Sequence, residues 1–186
     1  MRPTQLEEAR RGDTTDAAAV AAGKEHAETK SVVSEVAAGR AVIPANPRHV
    51  SLSPVVVGRA FRTKINANIG RSTEKSSVDE ELQKLQTSVS AGADFVMDLS
   101  VGPDLDSLRR TLLDACTAPF GTVPVYEAFW RAGEDVQRLD GDLLLQVISD
   151  QAEQGVDFMT LHAGLLREHL EAAAARRLGI VSRGGS

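Results

Sequence analysis

Cysteine is almost absent from this chain, which carries a single one, Cys116, among its 186 residues. One cysteine excludes an internal disulfide framework and a multi-cysteine metal site, and its place shortly before Pro119 predicts a buried, unreactive thiol. Aromatic residues are only 4% of the chain and its net charge is −5, so no basic field predicts binding to nucleic acid. No apolar run reaches the roughly 20 residues of a membrane span. These absences favour a protein of the reducing cytoplasm that binds neither nucleic acid nor membrane.

The composition changes near residue 54 and divides the chain into two regions. Residues 1–53 are rich in Ala, Glu, Lys and Arg, and residues 17–38 have the pattern of one or two helices. Thr15 offers an N-cap at their start. Residues 42–47 form an extended connector punctuated by proline. We therefore predict a helical N-terminal region with its connector at 1–53 and a second region at 54–186.

Short strands alternate with helical patterns throughout the second region. Strands are predicted at 64–69, 94–99, 119–126, 157–162 and 179–182, and helices are predicted from residue 76 and at 105–115, 140–154 and 165–177. Residues 91–97 resemble residues 154–160, and in both a glycine ends a helix before a strand begins. This alternation predicts parallel βαβ units. The predicted fold class is α/β, a partial (β/α)8 barrel of the TIM type with about five strands, preceded by a short helical region.

The strand ends of a (β/α) barrel lie on one face, where barrel active sites are built. Asn68 is either a turn residue or an amide that contacts a polar ligand. Met97 is either core filler or a ligand contact, and the carboxylate of Asp98 at the barrel mouth requires a partner. Tyr126, the only tyrosine, is either half-buried or a ligand contact. His162 is either structural or, with Ala-Gly after it, a contact to a closely approaching ligand.

The chain ends with the sequence Ser-Arg-Gly-Gly-Ser at residues 182–186, which predicts an anion-binding turn. Arg183 suits a phosphate because its guanidinium binds two oxygens at once, and Ser182 and Gly184 add a hydroxyl and a backbone N–H. The short sequence Ser-Arg-Gly-Gly is a weak signal by itself. The histidines outside the predicted strand ends have no metal-ligand spacing to one another, and no metal site is predicted in this chain; they are His26, His49 and His169.

Several longer motifs occur together, in one order, along residues 38–186. They are V-I-P-A-N at 42–46, K-I-N-A-N-I-G at 64–70, E-E-L-x-K-L at 80–85, G-A-D-x-V-M-D-L-S at 92–100, G-T-V-P-V-Y at 121–126, E-Q-G-V-D-F-M-T-L-H-A-G at 153–164 and G-I-V-S-R-G-G-S at 179–186. Together they resemble the N-terminal part of the phosphomethylpyrimidine synthase (ThiC) family, the radical enzymes that make the pyrimidine of thiamine.

This resemblance implies a carbon–carbon lyase that converts aminoimidazole ribonucleotide to hydroxymethylpyrimidine phosphate, and a cytoplasmic homodimer at full length. It implies that substrate contacts fall on Asn68, Met97, Tyr126, His162, Ser182, Arg183 and Gly184 of this chain. Among them, His162 would lie beside the reacting ribose as a catalytic residue. The family uses S-adenosylmethionine, a 4Fe-4S cluster and a divalent metal, and the ligands for these cofactors are absent from this chain.

The chain departs from the family pattern in length and at single positions. It ends at Ser186, before the cluster cysteines and the metal histidines, so the chain alone is expected to be inactive. Arg71, Val101 and Phe120 replace the family's usual residues, and the short N-terminal region is similar to a branch that includes a 5-hydroxybenzimidazole synthase. Three hypotheses stay open: part of a phosphomethylpyrimidine synthase, part of its benzimidazole-forming paralogue, or a non-catalytic fragment that binds ribonucleotide weakly.

Overall fold

The computed structural model describes residues 3–72, 76–164 and 166–179, and over these residues the chain forms eight α-helices and two β-sheets. The helices are α1 (Gln5–Arg11), α2 (Asp16–Lys24), α3 (Thr29–Ala37), α4 (Val78–Ser90), α5 (Leu105–Ala115), α6 (Pro124–Arg131), α7 (Gly141–Gln154) and α8 (Leu170–Ala174). The strands are β1 (Ala41–Val42), β2 (Val57–Gly58), β3 (Asn66–Ile69), β4 (Phe95–Asp98), β5 (Phe120–Thr122) and β6 (Phe158–Met159). The predicted α/β class is therefore confirmed.

The N-terminal region packs three short helices against a two-stranded antiparallel ribbon. In the ribbon β1 pairs with β2, and Val42 lies opposite Val57. The predicted helical pattern is confirmed as α2 and α3, and the hydroxyl of Thr15 caps α2 by accepting the backbone N–H of Ala18. α1 and the ribbon were not predicted. The core of this region is made of small apolar residues, namely Ala9, Ala18, Ala21, Ala22, Val32, Val36, Ala41, Ile43 and Val56.

Four parallel strands in the order β3-β4-β5-β6 form the central sheet. Asn68 lies opposite Met97, Met97 opposite Gly121, and Gly121 opposite Phe158. Helices α4 and α5 cover one face of this sheet. The apolar core between these helices and the sheet contains Ile69, Leu85, Val96, Leu108, Leu112, Leu113, Cys116, Ala118, Phe120 and Val156.

The two similar segments of the sequence occupy equivalent places in the sheet. Gly92 and Gly155 follow α4 and α7 with φ of 93° and 117°, a left-handed conformation that glycine adopts without strain. Two residues later, Asp94 and Asp157 each accept a backbone N–H at the start of the neighbouring strand, at 2.8 Å in both cases. The repeat therefore ties the N-terminal ends of adjacent strands together.

The third strand of the central sheet is shorter than its sequence predicts. Residues 119–126 were predicted as one strand, but β5 ends at Thr122 and α6 begins at Pro124. Proline suits the first turn of a helix because its fixed φ is helical and no N–H is needed there. Tyr126 therefore belongs to a helix, and its prediction as a strand-end residue was wrong.

The last predicted elements are only partly formed. Residues 157–162 were predicted as a strand, but only β6 forms, and one further ladder bond joins the Thr160 N–H to the Thr122 carbonyl at 2.9 Å. The helix predicted at 165–177 consists of a 3-10 helix followed by the short α8. Residues 180–182 of the final predicted strand lie outside the described residues.

Candidate functional site

Among the described residues, no helix covers one face of the central sheet, and two of the predicted site residues lie on this open face. Along β3, Ile69 is buried in the core whereas Asn66 and Asn68 are exposed. Because strand side chains alternate between faces, the register partners Met97 and Gly121 share the open face with Asn68. Asn66 Nδ2 donates to Asn68 Oδ1 at 2.7 Å, which orients this amide. The structure therefore places Asn68 and Met97 side by side.

An aromatic pair from the two repeated segments covers the middle of the open face. The rings of Phe95 and Phe158 meet edge to face, with centroids 5.3 Å apart and an interplanar angle of 84°. Gly121 lies on the strand between them, and a Cβ added there would stand 2.2 Å from Cζ of Phe158. The ring therefore requires glycine at this position.

Gly121→Ala is expected to lower the free energy of unfolding by roughly 1–3 kcal/mol, because the added methyl group must displace the Phe158 ring. Urea unfolding followed by the fluorescence of Trp130, the only tryptophan, would measure the change. Gly141→Ala is the matched control, since a Cβ there meets no atom within 4 Å. Equal stability of the two variants would contradict the prediction.

Tyr126 reaches the same end of the sheet from the first turn of α6. It lines an open cleft of about 390 Å³ together with Asn68, which we call the mouth cleft. The other residues lining it are Ile69, Gly70, Arg71, Ser72, Lys84 and Leu99. Asn68, its neighbour Met97 and Tyr126 are thus grouped at the C-terminal ends of β3, β4 and β5.

His162 follows β6 by three residues and is exposed. Between them, the hydroxyl of Thr160 approaches the sulfur of Met97 at 3.9 Å, so the chain leaves β6 at the Met97 end of the open face. Ser182, Arg183 and Gly184 lie outside the described residues, and their place at this site stays a prediction.

Asp98 faces the helices, so the expectation that it lines the mouth was wrong. Because the side chains of β4 alternate between the two faces of the sheet, Met97 lies on the open face and Asp98 on the covered one. Its carboxylate accepts the backbone N–H of Ser100 at 2.9 Å. Burial raises the pKa of Asp98, and the hydrogen bonds from Ser100 and the charge of Arg109 offset only part of that effect.

A buried polar network on the covered side joins α5, α6 and α7. Glu127, directly after Tyr126, is only 4% exposed. It accepts hydrogen bonds from Arg109, from Nη2 of Arg131 at 2.5 Å and from Nε2 of Gln151 at 2.7 Å. This network anchors the turn of α6 that carries Tyr126.

Sequence reasoning missed this network, although one signal was available. Arg109 falls between Leu108 and Leu112 on the apolar stripe of α5, where a cation is rarely buried without a partner. Its partner Glu127 is 18 residues further along the chain. Neither spacing nor composition connects the two.

A second buried pair fastens the connector to the sheet. His49 Nδ1 and an oxygen of Asp157 are 2.6 Å apart, and His49 Nε2 is 2.9 Å from the carbonyl oxygen of Cys116. Both ring nitrogens face acceptors, so the protonated ring can donate a hydrogen bond to each of them. Burial by itself lowers the pKa of His49, but the hydrogen bond and charge of Asp157 and the Cys116 carbonyl outweigh it, so this pKa is raised.

The stability contributed by His49 is expected to fall as the pH rises. A raised folded-state pKa means that the contribution is complete below the unfolded value of about 6.5 and is lost as the pH rises through the folded value. The difference in unfolding free energy between wild type and His49→Gln should therefore shrink as the pH is raised from about 6 into the alkaline range. A difference that stays constant in urea titrations over this interval would contradict the prediction.

The described residues contain neither a cluster of metal ligands nor a membrane-spanning helix. No three His, Cys, Asp or Glu side chains there are grouped so that they could hold a metal ion. Cys116 is buried as predicted, and burial raises the pKa of its thiol to about 11. Over the same part of the chain, no helix combines the length and the apolarity needed to cross a membrane.

Comparison with known proteins gives one consistent family. The sequence profile of the Radical SAM ThiC family matches residues 4–186. Phosphomethylpyrimidine synthases of Halobacterium salinarum, Natronomonas pharaonis and Haloarcula marismortui are 52%, 53% and 50% identical to this chain over 183 residues. Each alignment covers 98% of this chain and 38% of the relative, so the chain spans somewhat more than a third of their length. The resemblance in the sequence motifs is confirmed, and the chain belongs to the Radical SAM ThiC family.

Proposed function

We propose that this chain is the N-terminal, substrate-binding part of a phosphomethylpyrimidine synthase of thiamine biosynthesis. Its relatives carry that enzyme name and match nearly the whole chain. The observation that carries the proposal is the grouping of Asn68, Met97 and Tyr126 at one end of the sheet, since Asn68 and Tyr126 line one cleft and Met97 is in register with Asn68.

Within this proposal, residues 54–186 are the first part of a (β/α)8 barrel and residues 1–53 are a helical region before it. Parallel sheets are normally covered on both faces, and in the part of the chain that the structure describes helices cover only one. The open face carries Phe95 and Phe158 from alternate strands, as the interior layers of such barrels do. Closure of the barrel would enclose this face and place the mouth cleft at its C-terminal end.

The proposed substrate is aminoimidazole ribonucleotide, and the product is hydroxymethylpyrimidine phosphate. Asn68 and Tyr126 would contact polar groups of the substrate, and Met97 would pack against it at the level of Asn68. Arg183, with Ser182 and Gly184, would bind the phosphate. His162 would stand beside the reacting ribose.

The family's cofactors do not fit the residues of this chain. A 4Fe-4S cluster requires several thiolates, whereas Cys116 is the single cysteine of the sequence and has a buried thiol with a pKa of about 11. We propose that the cluster, S-adenosylmethionine and a divalent metal are bound by other parts of a longer, homodimeric polypeptide, which carries out the radical lyase reaction. This chain alone would then be inactive.

Two substitutions in a complete synthase carrying this segment would test the proposal. Arg183→Ala should raise KM because a charge-assisted bidentate contact to phosphate, worth on the order of 2 kcal/mol, is lost. His162→Ala should lower kcat more than it raises KM, because a group beside the reacting atoms acts chiefly on the transition state. Anaerobic steady-state kinetics with identification of the product would measure both effects and separate pyrimidine from benzimidazole synthesis.

A thermal melt of each variant is the control, since residues at a barrel mouth contribute little to the core. His169→Ala is a matched histidine variant, because His169 is exposed on the 3-10 helix before α8. If the Arg183 and His162 variants lose stability but their folded fraction keeps full activity, the site assignment is wrong.

A further inference from the structure

The mouth cleft has a cationic wall that the proposed substrate contacts do not use. Of the eight residues that line the cleft, Arg71 and Lys84 are cationic and none is a carboxylate. Ser72 adds a hydroxyl group next to Arg71. Arg71 and Ser72 directly follow the β3–Gly70 segment, and Lys84 projects from α4. A concave surface lined by one sign of charge favours an occupant of the opposite sign.

The charge of Lys84 is already neutralised by a carboxylate that lies behind the cleft wall. Glu81 is fully buried and does not line the cleft. Its carboxylate accepts hydrogen bonds from the Lys84 ammonium, from the Ser76 hydroxyl at 2.5 Å and from the Gly70 N–H at 3.1 Å. With Glu81 and Lys84 paired, Arg71 is the residue that gives the cleft wall its net positive charge.

Arg71 is held in place, and among the residues that the structure describes it has no carboxylate partner. Its N–H donates to Ser100 Oγ at 2.9 Å, and its carbonyl accepts the Val101 N–H at 2.9 Å, so its backbone is fixed to the loop that follows β4. The guanidinium donates to the carbonyl oxygen of Pro103. Within the part of the chain that the structure describes, no carboxylate oxygen lies within 4.0 Å of it. Guanidinium N–H groups therefore remain for an anion, and the tether reduces the ordering cost of binding one.

We propose that Arg71, supported by Lys84 and Ser72, forms an anion subsite in the mouth cleft for a phosphate or carboxylate group. Arg71 supplies the bidentate contact that oxyanions of this class prefer. The subsite is built from residues other than Ser182, Arg183 and Gly184. The inference that an anion binds here depends only on the residues of the cleft. The identity of the natural occupant rests on the proposed function: it would be an anionic group other than the phosphate bound by Arg183.

The single tyrosine makes this subsite directly observable. With fluorotyrosine incorporated, the chain carries one fluorine NMR resonance, from Tyr126 in the cleft wall. Titration with inorganic phosphate and, separately, with acetate should shift this resonance saturably, whereas chloride at the same ionic strength should not. The two anions separate a phosphate ligand from a carboxylate ligand, and the one with the lower Kd identifies the preferred class.

Variants assign the shift to Arg71. Arg71→Gln should raise the Kd about tenfold, which corresponds to about 1.4 kcal/mol, and Arg71→Lys should retain part of the affinity because the charge remains. Arg110→Gln is the matched control, since Arg110 is exposed on α5 and paired with Asp106. No saturable shift, or equal effects of Arg71→Gln and Arg110→Gln, would overturn the proposal.

This titration is independent of turnover, so it separates the anion subsite from the enzyme assignment. Saturable, Arg71-dependent binding together with a complete enzyme that does not convert aminoimidazole ribonucleotide would leave the subsite standing and refute the proposed function. A negative titration together with normal turnover of the Arg71→Gln enzyme would refute the subsite alone.

Discussion

Asp157→Ala is expected to lower the free energy of unfolding by about 3–5 kcal/mol, the cost of removing one partner of a buried ion pair. The Asp157 carboxylate accepts the Asn46 N–H at 2.7 Å and the Phe120 N–H at 2.8 Å, and it faces the ring of His49 at 2.6 Å. The side chains of His49 and Asp157 are 1% and 0% exposed. The variant therefore leaves the buried His49 ring and two backbone donors without their acceptor.

Urea unfolding monitored by Trp130 fluorescence would measure this loss, with Asp114→Ala as the matched control. Asp114 is exposed on α5, so its removal should change the free energy by no more than about 0.5 kcal/mol. Combining Asp157→Ala with His49→Gln should recover part of the loss, because the unpaired cation is then removed as well. Additive effects of the two changes would contradict the ion-pair explanation.

Glu127→Ala is expected to destabilise the protein by a similar amount, about 3–5 kcal/mol. Its removal leaves the guanidinium of Arg109, whose side chain is 3% exposed, without its carboxylate partner. Gln151 loses its acceptor in the same step. Because Tyr126 precedes Glu127 on α6, the change should also alter the environment of Tyr126, the single tyrosine, in the mouth cleft.

The neighbouring pair of Arg131 with Asp150 supplies the control for Glu127. Its side chains are 33% and 32% exposed, so Asp150→Ala should cost no more than about 1 kcal/mol. Calorimetric or urea unfolding would measure both variants, and fluorine NMR of fluorotyrosine would report on Tyr126. If Glu127→Ala is as mild as Asp150→Ala, water or a rearranged Arg109 replaces the network, and its role as the anchor of α6 is refuted.

Local sequence signals predicted the elements that depend on neighbouring residues. Ser77 forms the capping box with Glu80 that starts α4, and Gly92 and Gly155 end helices in the left-handed conformation that the repeated segments required. The alternation of strands and helices correctly indicated parallel βα units. The boundary at Pro124 was missed although proline at the first helical position is a helix-start signal, because the apolar run continues past Pro124 to Val125 and Tyr126.

The sequence by itself determined the family, the α/β class and the candidate residues Asn68, Met97 and Tyr126. Motifs, caps and turns depend on residues that are close together in the sequence, so they can be recognised without the structure. Only the tertiary structure decided that Asp98 points away from the mouth, since a side chain's face depends on strand register. It alone paired His49 with Asp157, 108 residues apart. Such contacts arise when distant segments are packed together, and no local spacing encodes them.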